Sequence, residues 1–409
     1  MSKKVAIIGA GVAGLTAALV LKQKGIKFHI YESKNHVGGR IATDRENGYL
    51  FDSGFQILLN SYPACKKYLN YEKLQLFPFK KGAIIRQNGE FHIVAIPSDK
   101  SSIKPKFNLP FMTSKDYFSL MKAWWVVQGM KAEIPLNDNQ TAAQKLEEFG
   151  FSEKLITHFF KPFFGGVLLD NSLQAKGVLI PYICKMFLTG DGVLPYNGMQ
   201  AIPEQLAENV GYENISLNQE AIGIEDKKIF FNDKVIDVDF CLLATDVWQA
   251  NQLIKSEKKD LSRGVWCFYF SAPKSPINEP LIVLNGENAG IIQYLVVMTD
   301  VCPHYSKNGD ALVAVTVVNH MELTENELLH LVSENLKGWF SEEFKDWSFL
   351  KSYKISHAHP YDYPTQEENK YQINSWVYRC GDYLETPSIQ SAMDTGEKAA
   401  LEIAAHIND

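Results

Sequence analysis

Residues 5–32, VAIIGAGVAGLTAALVLKQKGIKFHIYE, constrain the fold more than any other stretch of the chain. Lys3 and Lys4 precede a weakly polar or apolar run from Val5 to Leu21, a pattern that mimics an export signal. The run is short of the ~20 residues a membrane-crossing helix needs. Gly9, Gly11 and Gly14 fall inside it, and each would weaken a continuous helix by up to ~1 kcal/mol. A strand, a turn and a helix account for all three. Val5–Ile8 is the strand, Gly9 makes the tight turn, Gly11 lets backbone approach a pyrophosphate, and Gly14 lets the helix pack on the strand. The helix N-terminus then turns roughly half a positive charge toward the phosphates. A second strand, Lys27–Tyr31, delivers Glu32 to a ribose diol.

Glu32 also restricts the dinucleotide. A 2′-phosphate beside its carboxylate would cost about 4 kcal/mol at ~4 Å and an effective dielectric of ~20. NADP is therefore disfavoured, while NAD and FAD both remain compatible.

The 409 residues suffice for about two or three domains. With 46% hydrophobic and 22% charged residues, the chain is too polar for a multi-span membrane protein and too apolar for disorder. A net charge of −6 gives no support to nucleic acid as a partner. The six cysteines are scattered without a C-x-x-C pair, so neither a metal site nor a disulfide framework is expected, and a reducing cytoplasm fits.

Beyond residue 80 the pattern changes. GAIIRQNGEFHIVAIP, residues 82–97, reads as a hairpin about Asn88-Gly89. Residues 113–188 read as mostly helical, 261–320 as strand-rich and 324–345 as helix. Between them, KVIDVDFCLLATDV reads as one strand closing on Ala244-Thr245. The tail reads as a strand end, a loop and an amphipathic helix. A nucleotide unit at the N-terminus and a second glycine–acid–helix arrangement at the C-terminus predict one domain assembled from separated segments, with a ligand cleft against a second domain.

Two stretches bear on the cofactor. Gly38-Gly39-Arg40 offers close-approach amides and a cation, and hydrogen bonds to charged groups contribute ~1.5–3 kcal/mol each. Gly381-Asp382 follows the strand INSWVYRC, and Ile389 opens the last helix seven residues on. The acid can bond a polyol hydroxyl, and the helix N-terminus can face a ring carbonyl that gains negative charge on reduction. FAD has both groups and NAD has neither.

In this combination the chain resembles the FAD-dependent amine oxidase, protoporphyrinogen oxidase and phytoene desaturase superfamily. The resemblance rests on G-A-G-V-A-G, Glu32, V-G-G-R and Asp52-Ser53-Gly54-Phe55-Gln56 at the N-terminus. It continues in Glu220-Ala221-x-x-Ile224, Leu243-Ala244-Thr245, Cys380-Gly381-Asp382 and Ser388-Ile389-Gln390-Ser391-Ala392. It implies an α/β fold: a Rossmann-like FAD-binding domain (GR2-type) with an inserted α+β substrate domain. The discontinuous FAD-binding domain would comprise residues 1–80, 195–255 and 355–409, and the substrate domain 81–194 and 256–354. The implied cofactor-binding residues are Gly9, Gly11, Ala13, Gly14, Glu32, Gly38, Gly39, Arg40, Gly54, Phe55, Gln56, Ala221, Thr245, Gly381, Asp382, Ile389 and Ala392.

Two departures from the amine oxidase pattern favour the desaturase or protoporphyrinogen oxidase branch. The strand Gly264–Phe270 lacks the lysine that many amine oxidases place near the flavin, and Ser388 stands where they carry a cage aromatic. The expected function is dehydrogenation of a large hydrophobic substrate, a hydride equivalent passing to flavin N5, with O₂ or a quinone as electron acceptor. An amine oxidase, and a non-redox flavin-dependent isomerase or scaffold, are the alternatives.

The aromatic-rich FNLPFMTSKDYFSLMKAWWVVQGM and THFFKPFFGGVLL read first as ordinary core, with a few residues free to line a tunnel. KSSIKPKFNLPF, residues 100–111, mixes cations with aromatics, compatible with a solvated loop or with peripheral membrane contact. His357 and His359 lie two apart and would share a strand face. They are the candidates for acid–base work near the ring, against a structural role. No further metal ligands accompany them, and no serine or cysteine nucleophile is evident; Cys267 reads as core.

Overall fold

A computed structural model describes residues 3–95, 109–130, 140–256, 262–360 and 371–408. Its first sheet is parallel throughout, in the order Ile215–Ser216, Phe28–Tyr31, Val5–Ile8, Phe240–Leu243, Val377–Arg379. Val5–Ile8 and Phe240–Leu243 are buried along their whole length, as unbroken apolar strands in a doubly covered parallel sheet should be. One face carries the helices Val12–Gln23, Ala201–Val210 and Ile389–Asn408. The other meets an antiparallel layer of Ala221–Glu225, Lys228–Phe231 and Val235–Asp237, with Ala6 and Ile8 packed against Ala221, Ile229 and Phe231. Chain order reverses at Val5–Ile8, between Phe28–Tyr31 and Phe240–Leu243. A crevice opens at such a reversal, beyond the carboxyl ends of the strands.

The second sheet has seven strands: Ser348–Pro360, Ser262–Ala272, Ala311–Val318, Tyr294–Val297, Ile282–Asn285, Gly82–Gln87 and Glu90–Ala95, in that order. The predicted hairpin is present, with Asn88 at φ 51° and Gly89 at φ 81° supplying the left-handed turn. The helix Glu325–Phe340 covers one face through Leu328, Val332, Leu336 and Phe340, and a Thr324–Glu327 capping box starts it. A helical block between residues 114 and 189 packs on the rest.

Three elements differ from expectation. KVIDVDFCLLATDV is two strands in two sheets. The chain breaks at Val238-Asp239, where Val238 N–H donates to Lys227 O and Asp239 N–H to Lys4 O. The helix expected over 324–345 ends at Phe340, and a 3₁₀ turn from Ser341 to Asp346 follows. In the aromatic helix Ser114–Gly129 the reading as core fails. Tyr117, Phe118, Met121, Trp124 and Trp125 are exposed, whereas Asp116 and Ser119 are buried.

Candidate functional site

Gly9 and Gly14 take the turn and packing positions their spacing predicts. Gly9 has φ 107°, and a Cβ there would stand 2.8 Å from Ala244 O. A Cβ on Gly14 would come within 2.2 Å of Gly9 O, so the helix lies directly on the turn. A Cβ on Gly11 would meet nothing within 4 Å. Gly11 instead pairs with Gly38 in a parallel bridge, and a Cβ on Gly39 would stand 3.5 Å from the Gly11 Cα. Two glycine corners, one from each side, thus face an open cradle at the N-terminus of the helix Val12–Gln23. Ala13 lies in its first turn, buried. A pyrophosphate fits this cradle: backbone approach is unobstructed and the helix dipole favours an anion.

Glu32 is buried at the end of its strand. Its Oε2 accepts from Ala10 N–H at 2.7 Å, and Oε1 accepts from Lys34 N–H at 2.9 Å and from Ser33 Oγ. These bonds hold the carboxylate beside the glycine turn, and Oε2, which accepts one bond, has a further acceptor site for a ribose hydroxyl. Ala221 is buried near the same edge, where Gln219 N–H donates to Glu32 O at 2.8 Å. Thr245 follows the neighbouring strand; its hydroxyl donates to Asp246 O, and Asp246 caps the helix Val247–Leu253.

The C-terminal residues arrive at the same crevice. Gly381 N–H donates to the Thr395 hydroxyl, and Asp382 Oδ1 accepts from Arg40 Nη2 at 2.5 Å. Arg40 Nη1 donates to Ala358 O at 2.6 Å. The Asp382 carboxylate raises the Arg40 guanidinium pKa further above its ordinary value. Ser388 Oγ accepts from Ser391 N–H, capping the first turn of the helix Ile389–Asn408, where Ile389 and the buried Ala392 sit. Gln390 Oε1 accepts from Ala64 N–H. A Cβ on Gly396 would stand 2.3 Å from Ala13 O, so this helix can lie against the nucleotide turn only because residue 396 lacks a side chain.

Gly54, Phe55 and Gln56 run past the Arg40 corner. Gly54 has φ 91° and faces Ile355, and Gln56 Nε2 donates to Arg40 O. Phe55 packs edge-on against Tyr294 and Phe79 at 5.5 and 6.2 Å. Just before them, Asp52 is buried among donors. Thr43 Oγ1 lies at 2.5 Å, Tyr305 OH at 2.7 Å and Met199 N–H at 3.0 Å, while Tyr269 OH donates to its carbonyl. Burial pushes its carboxyl up to about 6, against those hydrogen bonds.

His357 and His359 flank the buried Ala358 in the strand Ser348–Pro360, where the register against Arg263 and Val265 shifts. The His357 ring stacks on Trp248 at 5.3 Å. His359 lies in the fields of Asp382, Arg40 and Arg263, and desolvation lowers its imidazole to about 4. The buried Arg263–Asp170 pair, at 3.3 Å, stands in the same region. The sequence reading missed Trp248, Asp170, Arg263, Gly396 and the surroundings of Asp52. Of these, only Gly396 carried a local signal, as a glycine inside an amphipathic helix. Residues 100–108 lie outside the described residues. All six cysteines carry free thiols, Cys267 fully buried. Among the described residues no cluster of His, Cys, Asp or Glu could hold a metal, and no helix is long and apolar enough to cross a membrane.

A parallel sheet with a glycine turn, a strand-end acid and a second glycine corner at its point of reversal defines the dinucleotide-dependent oxidoreductases. Within that class the chain belongs to the flavin containing amine oxidoreductase family, whose model matches residues 12–404. That family is one of FAD-dependent oxidoreductases. The chain is 27% identical over 173 residues to protoporphyrinogen oxidase 2 of Arabidopsis thaliana, covering 40% of this chain and 32% of that protein. It is 26% identical over 175 residues to coproporphyrinogen III oxidase of Staphylococcus aureus, covering 41% and 36% respectively. The matches thus span about a third of these relatives' length. In structure it resembles cyclohexylamine oxidase of Brevibacterium oxydans, with a TM-score of 0.75 at 17% identity over 100% of both chains. An oxidoreductase from Methanosarcina mazei gives 0.73 at 16% identity over 98% of this chain and 100% of its own. At such identities the likeness concerns the fold.

Proposed function

We propose that this chain dehydrogenates a large apolar substrate over an FAD held by residues 1–80, 195–255 and 355–409, the substrate meeting residues 81–194 and 256–354. The observation that carries this reading is the composition of the surface beside Phe55. The strand Ser262–Ala272 places no lysine there, Ser388 stands before the last helix, and Phe55 leans on Tyr294 and Phe79. Among the described residues that strand offers an amine no paired base, while Phe55, Tyr294 and Phe79 offer a flat or extended hydrocarbon aromatic contacts. The names of the two porphyrinogen-oxidising relatives support the same class.

In this reading the Gly11 and Gly39 amides hold the pyrophosphate, Glu32 the ribose, and Ala221 and Thr245 flank the adenine end. Arg40 and Asp382 would hold the pyrophosphate and ribityl chain, and Gly54–Gln56 and the helix start at Ile389 would hold the ring. Bound FAD supplies the acceptor for two electrons and a proton. The protein contributes placement of the substrate and exclusion of water. His359, neutral at pH 7, can donate or accept one hydrogen bond at the crevice without bringing a charge. O₂ or a quinone completes the cycle.

Anaerobic mixing tests the reading. Bleaching of the flavin absorbance by a reduced tetrapyrrole or a long polyene, and none by polyamines, is expected. Bleaching and peroxide release with amines alone would establish the amine oxidase alternative. No bleaching by any donor would leave a scaffold or an isomerase.

A further inference from the structure

We propose that the helix Ser114–Gly129 docks this protein on an anionic lipid bilayer and that the apolar substrate enters from that surface. The second half of the statement rests on the proposed function; the first does not.

The apolar face of this helix is turned outward. Tyr117, Phe118, Met121, Trp124 and Trp125 recur at i, i+1, i+4, i+7 and i+8, within a sector of about 120° on a helix turning ~100° per residue. That sector is the exposed one: Phe118 is 69% and Trp125 77% exposed. The opposite side is held down by Val127, Ser119 and Asp116. Asp116 accepts from Thr113 and from both the backbone and hydroxyl of Ser152, so the helix is pinned with its aromatic face outward. Contiguous exposed apolar surface of this kind marks an interaction site. Tryptophan and tyrosine suit a lipid–water boundary because each joins an apolar ring to a hydrogen-bonding edge.

Charge selects the partner. The ionised side chains this helix shows to solvent are Lys115 and Lys122, beside the aromatic sector, while its acid Asp116 is turned inward. The two lysines, with Ser114, Ser119, Phe118 and Phe149, line an open cleft of ≈ 350 Å³. Cations and hydroxyls over an apolar floor match an anionic phospholipid headgroup above its first methylenes. The nearby acid Glu148 is paired with Lys145 at 3.0 Å; Lys122 Nζ donates to the Glu148 carbonyl at 2.8 Å, and the Lys122 charge also acts on the Glu148 carboxylate.

Packed apolar side chains run inward from this face. Met130 at the end of the helix, Ile183, Phe187 and Ile57 pack on one small core of Leu59, Tyr182 and Met186. Ile57 follows Gln56. Phe187 meets Phe163 at 5.7 Å, and Phe163 stacks on Phe159 in the π-helical turn Ile156–Phe160. Partly buried apolar side chains thus connect the aromatic helix to the segment beside Phe55.

The test is co-sedimentation of the flavin-loaded 409-residue chain with vesicles of phosphatidylcholine, with and without phosphatidylglycerol. The protein is expected to bind the mixed vesicles more strongly, and less so as salt rises. Phe118→Ser and Trp125→Ser should each lower partitioning about tenfold or more, because each removes a large apolar side chain from the lipid. Lys115→Gln with Lys122→Gln should remove the preference for phosphatidylglycerol. Flavin absorbance and Tm should stay unchanged in all, since these side chains are exposed. Equal sedimentation of the native chain and the Phe118→Ser/Trp125→Ser variant would overturn the proposal. So would concentration-dependent self-association that shields Trp125 without vesicles. Vesicle binding by a chain that holds no flavin would leave the docking intact and defeat the functional reading instead.

Discussion

Arg40 Nη2 lies 2.5 Å from Asp382 Oδ1, joining two residues 342 positions apart. The pair fastens the second glycine corner to the C-terminal glycine–acid step, and Arg40 also reaches Ala358 O on the edge strand of the second sheet. Three distant segments therefore meet at one guanidinium.

Arg40→Met should weaken FAD retention about ten- to a hundredfold, the range expected for lost hydrogen bonds to charged groups. Asp382 is 9% exposed on its side chain but Arg40 36%, so the stability cost should be about 1–2 kcal/mol rather than that of a fully buried pair. Flavin-fluorescence titration of the deflavinated protein, beside a thermal melt, reads both.

Gly11 and Gly14 separate binding from folding. Gly11→Val extends into open space and should abolish FAD binding while leaving the apoprotein Tm nearly unchanged. Gly14→Val, with its Cβ 2.2 Å from Gly9 O, should destabilise the apoprotein itself by about 1–3 kcal/mol or more. If both variants melt like the native apoprotein, the close packing of helix on turn is wrong.

Asp52 should make stability depend on pH. Its folded pKa is about 6 against 3.8 for the free group. The folded state therefore holds the proton more tightly, and the associated stability is present below pH 3.8 and lost as pH rises through 6. About two units correspond to ~3 kcal/mol. Asp52→Asn, which mimics the protonated form, should flatten the Tm profile between pH 4 and 7. A native slope retained in Asp52→Asn would place the titrating group elsewhere.

His359 should titrate near 4 rather than 6.5, because desolvation disfavours its cation. Imidazole NMR shifts, assigned by His359→Gln, would show it neutral from pH 5 upward. A midpoint above 6 would return it to the list of physiological proton carriers.

Gly396→Leu should separate the terminal helix from the turn at Ala13 and lower both Tm and FAD affinity together. An unchanged affinity would show that the helix start at Ile389 does not need this packing.

The nucleotide turn was legible because its chemistry is local. Strand, Gly9, Gly11, Gly14, helix and Glu32 lie within 28 consecutive residues, and each glycine answers a steric demand of its near neighbours. The strand break at Val238 and the helix end at Phe340 were not legible, since distant carbonyls or a single backbone conformation decide them. The aromatic helix misled for a related reason. Periodicity reveals that a helix has an apolar face, but only packing decides which face is covered, and here Asp116 and Ser152 settle it.

The sequence by itself determined the kind of ligand, because backbone approach, anion binding and ribose recognition are set by residues close in the chain. Tertiary structure alone decided which side chains surround that ligand. The meeting of Arg40 with Asp382, of Ala13 with Gly396 and of Asp52 with Tyr305 joins segments whose spacing in the chain carries no information about distance in space.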